Sequence, residues 1–319
     1  VSSDPAASAR HVLVVTNPHS GAGKGHDVSA VVRARCAARG VAVAEVRAPN
    51  AAESARLVRA AIADPAARPD AVVCVGGDGL MHVLLGALAG TGVPLGLVPA
   101  GTGNDLAREL GVPTGDPAAA VDVVLDGRTA VMDLGRLAGA EPRWFATVAG
   151  AGFDARVTLR ANRMRRPRGP LRYTFAAVAE ILGGHTLPFE IELDGLAPGA
   201  LDNPAGERAT IRTEAVMTPI GNTRTYGGGM LICPDAVADD GYLDLTVVGA
   251  VSRLSLARLL PALSAGRRID HPATRRYRAR RITVSAPGGL ATADGEDMGA
   301  LPVTAEVVPG ALTVLVPRR

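Results

Sequence analysis

Between residues 11 and 110 the chain alternates short runs of Val, Leu, Ile and Cys with stretches whose apolar residues recur at helical spacing. No other feature of the sequence restricts the fold as strongly. The runs lie at 12–16, 41–46, 72–75 and 95–98. Between them, Val28, Val31, Val32 and Cys36 mark a helix that stops at Gly40, and Leu57, Val58, Ala61 and Ile62 mark another that ends at Asp64-Pro65. Met81, Leu84, Leu85 and Leu88 share one helical face, and a short helix reaches Leu110 before Gly111. Near-continuous apolar strands alternating with helices predict a Rossmann-like parallel sheet covered on both faces. In such sheets ligands gather at the carboxyl ends of the strands. Three polar, Gly-rich turns fall there, at 17–25, 76–79 and 101–105.

The pattern changes after about residue 130. Residues 189–193 (Phe-Glu-Ile-Glu-Leu) alternate as a half-exposed strand does. Further strands are expected at 210–218, 243–248, 282–285, 303–308 and 312–316. Leu171, Phe175, Val178 and Leu182 define one intervening helix, ending at Gly183-Gly184, and Leu254, Leu259, Leu260 and Leu263 a second. The expectation is therefore an α/β domain over 1–135. A β-rich sandwich or barrel domain follows over 136–319, its last strand returning to the first domain. A length of 319 residues suits two domains.

Composition narrows the function classes. Apolar residues make up 47% and charged residues 20%, which excludes a disordered chain. Aromatics are only 3%, so no stacking platform accompanies the basic runs, which argues against nucleic acid as a partner. Cys36, Cys74 and Cys233 stand far apart with no C-x-x-C pair, as in a reducing, cytoplasmic setting. The first ten residues lack the basic and apolar regions of a signal peptide. No Asp, Glu, Lys or Arg occurs between Asp78 and Asp105, but Gly90, Gly92, Pro94, Gly96, Pro99 and Gly101 interrupt the stretch. It reads as a buried helix, a turn and a buried strand rather than a membrane span.

Each turn carries a chemical reading and a plain one. Asn17-Pro18-His19-Ser20-Gly21-Ala22-Gly23-Lys24-Gly25 offers backbone N–H groups and a helix N-terminus to an anion. It is neither a Walker A loop nor G-x-G-x-x-G, and an ordinary strand-to-helix turn has the same composition. Gly76-Gly77-Asp78-Gly79 places three glycines around one carboxylate, suited to a close backbone approach and to a metal or proton. In Gly101-Thr102-Gly103-Asn104-Asp105, Thr102 offers a hydroxyl to phosphate, while Asn104 or Asp105 would suit a helix cap. Asp294-Gly295-Glu296 combines two carboxylates and also fits a surface turn. The segment 234–244, with Asp239-Asp240-Gly241, suits either a hard cation or a hairpin turn.

In this order the motifs resemble the diacylglycerol kinase catalytic family of bacterial lipid kinases, relatives of the sphingosine and ceramide kinases. The resemblance runs over about 11–316, with Ala151-Gly152-Phe153-Asp154 as a further match. It implies an ATP-dependent kinase that phosphorylates a lipid hydroxyl, diacylglycerol giving phosphatidic acid, with ATP bound between the domains. The runner-up acceptors are a sphingoid base or phosphatidylglycerol, and a homologue that has lost catalysis is the non-enzyme alternative. By the same resemblance Asn17, Pro18, His19, Ser20, Gly21, Gly77, Asp78, Gly79, Thr102 and Glu296 contact ATP. The general base is Asp294, or Asp78 as in the sphingosine kinase relatives. Magnesium accompanies the phosphates, and a structural magnesium sits on Asp240 and the carbonyls of Val237 and Tyr242. The family continues G-G-D-G-T-x-N-E where this chain has Leu80 and Val83, and Ala48 stands where a nucleotide-contacting Thr is expected.

A lipid kinase must reach a bilayer. Arg156, Arg160, Arg163, Arg165, Arg166, Arg168 and Arg172 form one basic run and Arg275, Arg276, Arg278, Arg280 and Arg281 another. They suit either peripheral contact with the inner membrane face or a solvated surface. The sequence leaves the oligomeric state open, a homodimer included.

Overall fold

The structure is a computed structural model that describes residues 10–16, 24–139, 142–164, 166, 171–183, 186–200 and 202–318. The chain forms two compact units, Val1–Leu134 with Pro309–Arg319, and Gly135–Val308.

In the first unit β1 (His11–Thr16), α1 (Lys24–Ala38), β2 (Ala42–Arg47), α2 (Ala51–Ala63), β3 (Ala71–Gly76), α3 (Asp78–Leu88) and β4 (Leu95–Pro99) alternate as the periodicity requires. α4 (Asp105–Glu109) and α5 (Pro117–Asp126) follow. The strands are parallel in the order β2-β1-β3-β4. Every residue of β3 and β4 is buried, as expected where helices cover both faces. Asn50 caps α2 by accepting from Glu53 N at 2.9 Å, and Asp116 caps α5 by accepting from Ala118 N and Ala119 N. α5 is an element that periodicity does not reveal, because its Ala- and Val-rich sequence has little polar contrast. It lies so close to β4 that a Cβ on Gly96 would come within 2.8 Å of Val124.

The second unit takes up β5 (Arg128–Leu137) from Gly135 onward, then β6 (Arg143–Phe145), β7 (Val148–Ala151), α6 (Phe153–Arg163) and α7 (Leu171–Gly183). It continues through β8 (Leu187–Leu196), β9 (Arg208–Met217), β10 (Ile220–Gly221), β11 (Thr225–Tyr226), β12 (Met230–Leu231), β13 (Leu243–Gly249) and α8 (Arg253–Ser264). β14 (Thr274–Ser285), β15 (Leu290–Ala293), β16 (Glu296–Ala300) and β17 (Val303–Val316) complete the chain. β13 pairs with β9, β9 with β8, β8 with β14 and β14 with β13, so four antiparallel strands close on one another. Phe145, Phe189, Ile191, Leu193, Leu245 and Ile282 form their core.

β17 differs from expectation. Pro309-Gly310 reads as a break between two strands, yet Val303–Val316 is one strand. Its first part pairs with β14 and Val314 pairs with Leu95 of β4. Gly310 takes φ 62°, and its N–H donates to Asp133 Oδ1 at 2.8 Å, so the irregularity does not strand this donor. Among the described residues no helix is long and apolar enough to cross a membrane, and the uncharged stretch after Asp78 is α3, a turn and β4.

Candidate active site

In the first unit the turns after β3 and β4 are locked together by one side chain. Asp78 begins α3, and its Oδ2 accepts from Asn104 N at 2.7 Å while its Oδ1 accepts from Asp105 N at 2.8 Å. Asn104 takes a left-handed φ of 53° and turns its side chain back, accepting from Gly101 N at 3.1 Å and donating to Gly101 O at 2.9 Å. Ala100 N donates to Gly76 O at 2.9 Å. The glycines let the two backbones touch. A Cβ on Gly101 would stand 2.6 Å from Gly77 Cα, and one on Gly103 would stand 2.6 Å from Asp78 Oδ2. Their need is thus met within the protein, before any ligand is considered. Asp105 is not the cap expected of it: Asn104 occupies the cap position, without a side-chain cap bond, and Asp105 is buried in the first helical turn. Thr102 is exposed at the tip of its turn.

Leu80, where the resemblance leads one to expect Thr, is buried, and a Cβ on Gly76 would lie 2.9 Å from its Cδ2. Val83 is half-buried and Ala48 is buried. Asn17, Pro18, His19, Ser20 and Gly21 lie outside the described residues.

In the second unit Asp294-Gly295 is the two-residue turn of the β15–β16 hairpin, with φ 49° and 85° and Ala293 opposite Glu296. Positive φ at both positions is the hairpin geometry that Asp-Gly favours. The Asp294 side chain is nevertheless buried. Its Oδ2 accepts from Ala146 N at 3.0 Å, and its Oδ1 from Thr147 N at 2.8 Å and Thr147 Oγ at 2.6 Å. Glu296 is exposed at the start of β16. Sequence reasoning misses Thr147, which carries no motif and becomes recognisable only as the partner of Asp294.

Asp154, from the Ala151–Asp154 match, lies in the first turn of α6, which packs against β15 of the same hairpin. A Cβ on Gly150 would come within 2.6 Å of Asp154 Oδ2 and 3.0 Å of Thr292 of β15. Asp154 Oδ1 accepts from Ala155 N, and Oδ2 has no hydrogen-bond partner among the described residues. Burial raises this carboxyl to a pKa of about 6.

Asp240, Val237 and Tyr242, expected to hold structural magnesium, lie in the loop before β13, where the Asp240 carboxylate has other partners as well. Asp240 Oδ2 is ion-paired with the Arg278 guanidinium, and Oδ1 accepts from Tyr242 N at 3.1 Å. Arg278 Nε also reaches Asp244 Oδ2 at 3.3 Å, and its guanidinium lies 5.6 Å from the Tyr242 ring centre. The Asp240 carboxylate is thus paired with a guanidinium, and among the described residues no group of three His, Cys, Asp or Glu side chains is placed to hold a metal ion.

The second basic run is also largely engaged. Arg276 is paired with Asp270 and Asp235, Arg281 with Glu306, and Arg280 lies 5.4 Å from the Tyr242 ring centre. An apolar pocket of about 50 Å³ opens beneath α8, lined by Met217, Val248, Leu256, Leu259 and Leu263, with His271 also on its wall.

Residues 11–137 match the diacylglycerol kinase catalytic domain family, and residues 147–316 match the YegS C-terminal NAD kinase beta sandwich-like domain. A protein named diacylglycerol kinase from Mycobacterium tuberculosis (strain ATCC 25618 / H37Rv) is 43% identical over 310 residues, 96% of this chain and 95% of its own. A probable lipid kinase YegS-like of Pseudomonas fluorescens is 34% identical, over 84% of this chain and 83% of its own. In fold, the chain is similar to a crystal structure of a diacylglycerol kinase from Bacillus anthracis str. Sterne. The TM-score is 0.70 at 19% identity, over 97% of this chain and 98% of the other. The chain belongs to the diacylglycerol kinase family of lipid kinases, with the α/β catalytic domain and the sandwich-like second domain of that family.

Proposed function

We propose that the protein transfers the γ-phosphoryl group of ATP to the free hydroxyl of diacylglycerol, giving phosphatidic acid. The observation that carries this reading is the locked pair of glycine turns at the carboxyl edge of a parallel sheet, in a chain of this family. Phosphoryl transfer asks a protein chiefly for positioning and charge neutralisation, and rigid turns with backbone N–H groups and Thr102 suit the nucleotide phosphates. Gly77, Gly79 and Thr102, with Asn17–Gly21 and Glu296 by resemblance, make up the proposed ATP contacts. Magnesium bound with the nucleotide would neutralise phosphate charge.

The two candidate bases have different geometry. Asp78 joins two turns through one backbone N–H on each oxygen, which makes it a positioning residue. Asp294 stands at a hairpin tip, oriented by three donors, and is the proposed acceptor of the hydroxyl proton. The pocket beneath α8 suits an apolar part of the acceptor.

Incubation with radiolabelled ATP and a lipid panel, separated by chromatography, tests the reading. Label in phosphatidic acid is expected. Label only in a sphingoid base or phosphatidylglycerol product would move the acceptor, and no transfer to any lipid would overturn the assignment.

A further inference from the structure

The helix α7 shows an apolar stripe to water. Its inward face carries Ala176, Ala177, Glu180 and Ile181, all buried. Its outward face carries Phe175, Val178 and Leu182, which are 59%, 52% and 68% exposed. The spacings of three and seven residues set these three side chains in one stripe along the helix. Leu254 at the start of the neighbouring α8 is 59% exposed as well. These four account for most of the large apolar side chains exposed in the described chain. Clustered exposure of this kind marks an interaction surface rather than ordinary apolar scatter.

The charges around the stripe are of one sign. α6, α7 and α8 carry Arg156, Arg160, Arg163, Arg172, Arg253 and Arg258 against Asp154 and Glu180, a net charge of +4 where the whole chain has only +3. Both acids are buried. Asp154 faces the hairpin, and Glu180 is held by Arg156 Nε at 2.8 Å and Arg160 Nε at 2.5 Å. No exposed carboxylate therefore occurs on any of the three helices, while Arg163, Arg253 and Arg258 are exposed.

We propose that the outward face of α7, with the start of α8, is a docking surface for an anionic lipid bilayer. A protein partner would be expected to offer acids to particular arginines. A bilayer offers diffuse negative charge above an apolar layer, which is what a Phe-Val-Leu stripe flanked by arginines complements. The apolar side chains enter the acyl boundary and the arginines stay at the headgroups. α8 takes part on both sides: Leu256, Leu259 and Leu263 line the apolar pocket while Arg253, Leu254 and Arg258 face outward. Docking would bring that pocket next to the lipid phase, which extends the lipid kinase reading but does not depend on its chemistry.

The experiment reads binding and requires no catalysis, so it can fail while the kinase reading stands, and the converse. The full chain is sedimented with phosphatidylcholine vesicles made with and without phosphatidylglycerol. Binding is expected only with the anionic lipid. Phe175→Ser with Leu182→Ser should weaken it roughly ten-fold or more, and Arg253→Ser with Arg258→Ser by a similar factor. Melting temperatures should not fall, because these groups are exposed. Phe175→Trp should show a blue-shifted emission on anionic vesicles. Equal binding to neutral vesicles, unchanged binding of both double variants, or no emission shift in the Phe175→Trp variant would overturn the proposal. So would a dimer that dissociates in the Phe175→Ser, Leu182→Ser variant while vesicle binding persists, since the stripe would then be a contact between two copies of the chain.

Discussion

Two corners of the molecule use an aspartate in the same way and to different ends. In the first unit Asp78 ties two strand-end turns together, its oxygens bound to Asn104 N and Asp105 N. In the second unit Asp294 ties a hairpin tip to the Ala146-Thr147 segment through two backbone N–H groups and one hydroxyl. The first corner is closed by glycine backbones in contact, while the second is open: among the described residues nothing lies within 4 Å of a Cβ on Gly295. A carboxylate held by backbone donors is thus a shared means of fixing a turn. Whether it also does chemistry depends on what else the turn has room for.

The largest expected effect separates the two aspartates. Asp294→Asn sets an amide donor against a backbone N–H and should destabilise the protein by about 1–3 kcal/mol. Its folded fraction should show phosphoryl transfer lowered roughly 10²–10⁴-fold with the KM for ATP little changed, measured by steady-state kinetics. Asp78→Asn replaces one acceptor by a donor facing a backbone N–H. It should destabilise the protein by about 1–3 kcal/mol in urea melts and raise the KM for ATP. The reverse pattern would exchange their roles.

Arg278→Ala should destabilise the second unit by about 3–5 kcal/mol, because it leaves the buried Asp244 beside Asp240 without a counter-charge. Chelation with EDTA, followed by thermal melts of the wild type, tests whether Asp240 also holds a cation: a lower melting temperature is expected if it does, and no change if Arg278 is its only counter-charge.

Asp154 supplies the contrast of a carboxylate with no backbone clamp between elements. Its folded pKa of about 6 lies above the ordinary 3.8, so the folded state binds the proton more tightly than the unfolded chain. Stability from this group is fully present below about pH 3.8 and is lost as pH rises through about 6. The loss at neutral pH is about 3 kcal/mol. Asp154→Asn should recover most of it above pH 6 and flatten the dependence between those values, read by urea unfolding across pH.

The smallest effects compare the glycines. Gly101→Ala forces a Cβ to 2.6 Å from Gly77 Cα and should cost about 1–3 kcal/mol together with ATP affinity. Gly295→Ala meets no atom and should cost only about 1 kcal/mol, the strain of its φ of 85°. Equal costs would show that the two corners are equally tight.

Much of the first unit is legible from residues. Val72–Val75 and Leu95–Val98 are apolar throughout because β3 and β4 are buried on both faces, and Met81, Leu84, Leu85 and Leu88 are the buried face of α3. α5 is not legible, since Ala120, Val121 and Val124 lie in a segment with too few polar residues to show a face. In the second unit Leu171, Phe175, Val178 and Leu182 do mark a helix, but spacing cannot tell an apolar stripe that packs inward from one that faces outward. Asp294-Gly295-Glu296 is visible as a motif, while the burial of Asp294 against Thr147 is not.

The sequence by itself determined the alternation of strand and helix, the edge on which the glycine turns gather and the family to which the chain belongs. These follow from local periodicity and from short motifs that need no partner. Packing across elements is what shares Asp78 between two turns, pairs Arg278 with Asp240, and turns Glu180 of α7 inward to Arg156 and Phe175 outward to solvent. Each of these rests on a bond between residues 24 to 38 positions apart along the chain, whose approach is fixed by packing across elements and leaves no periodic trace.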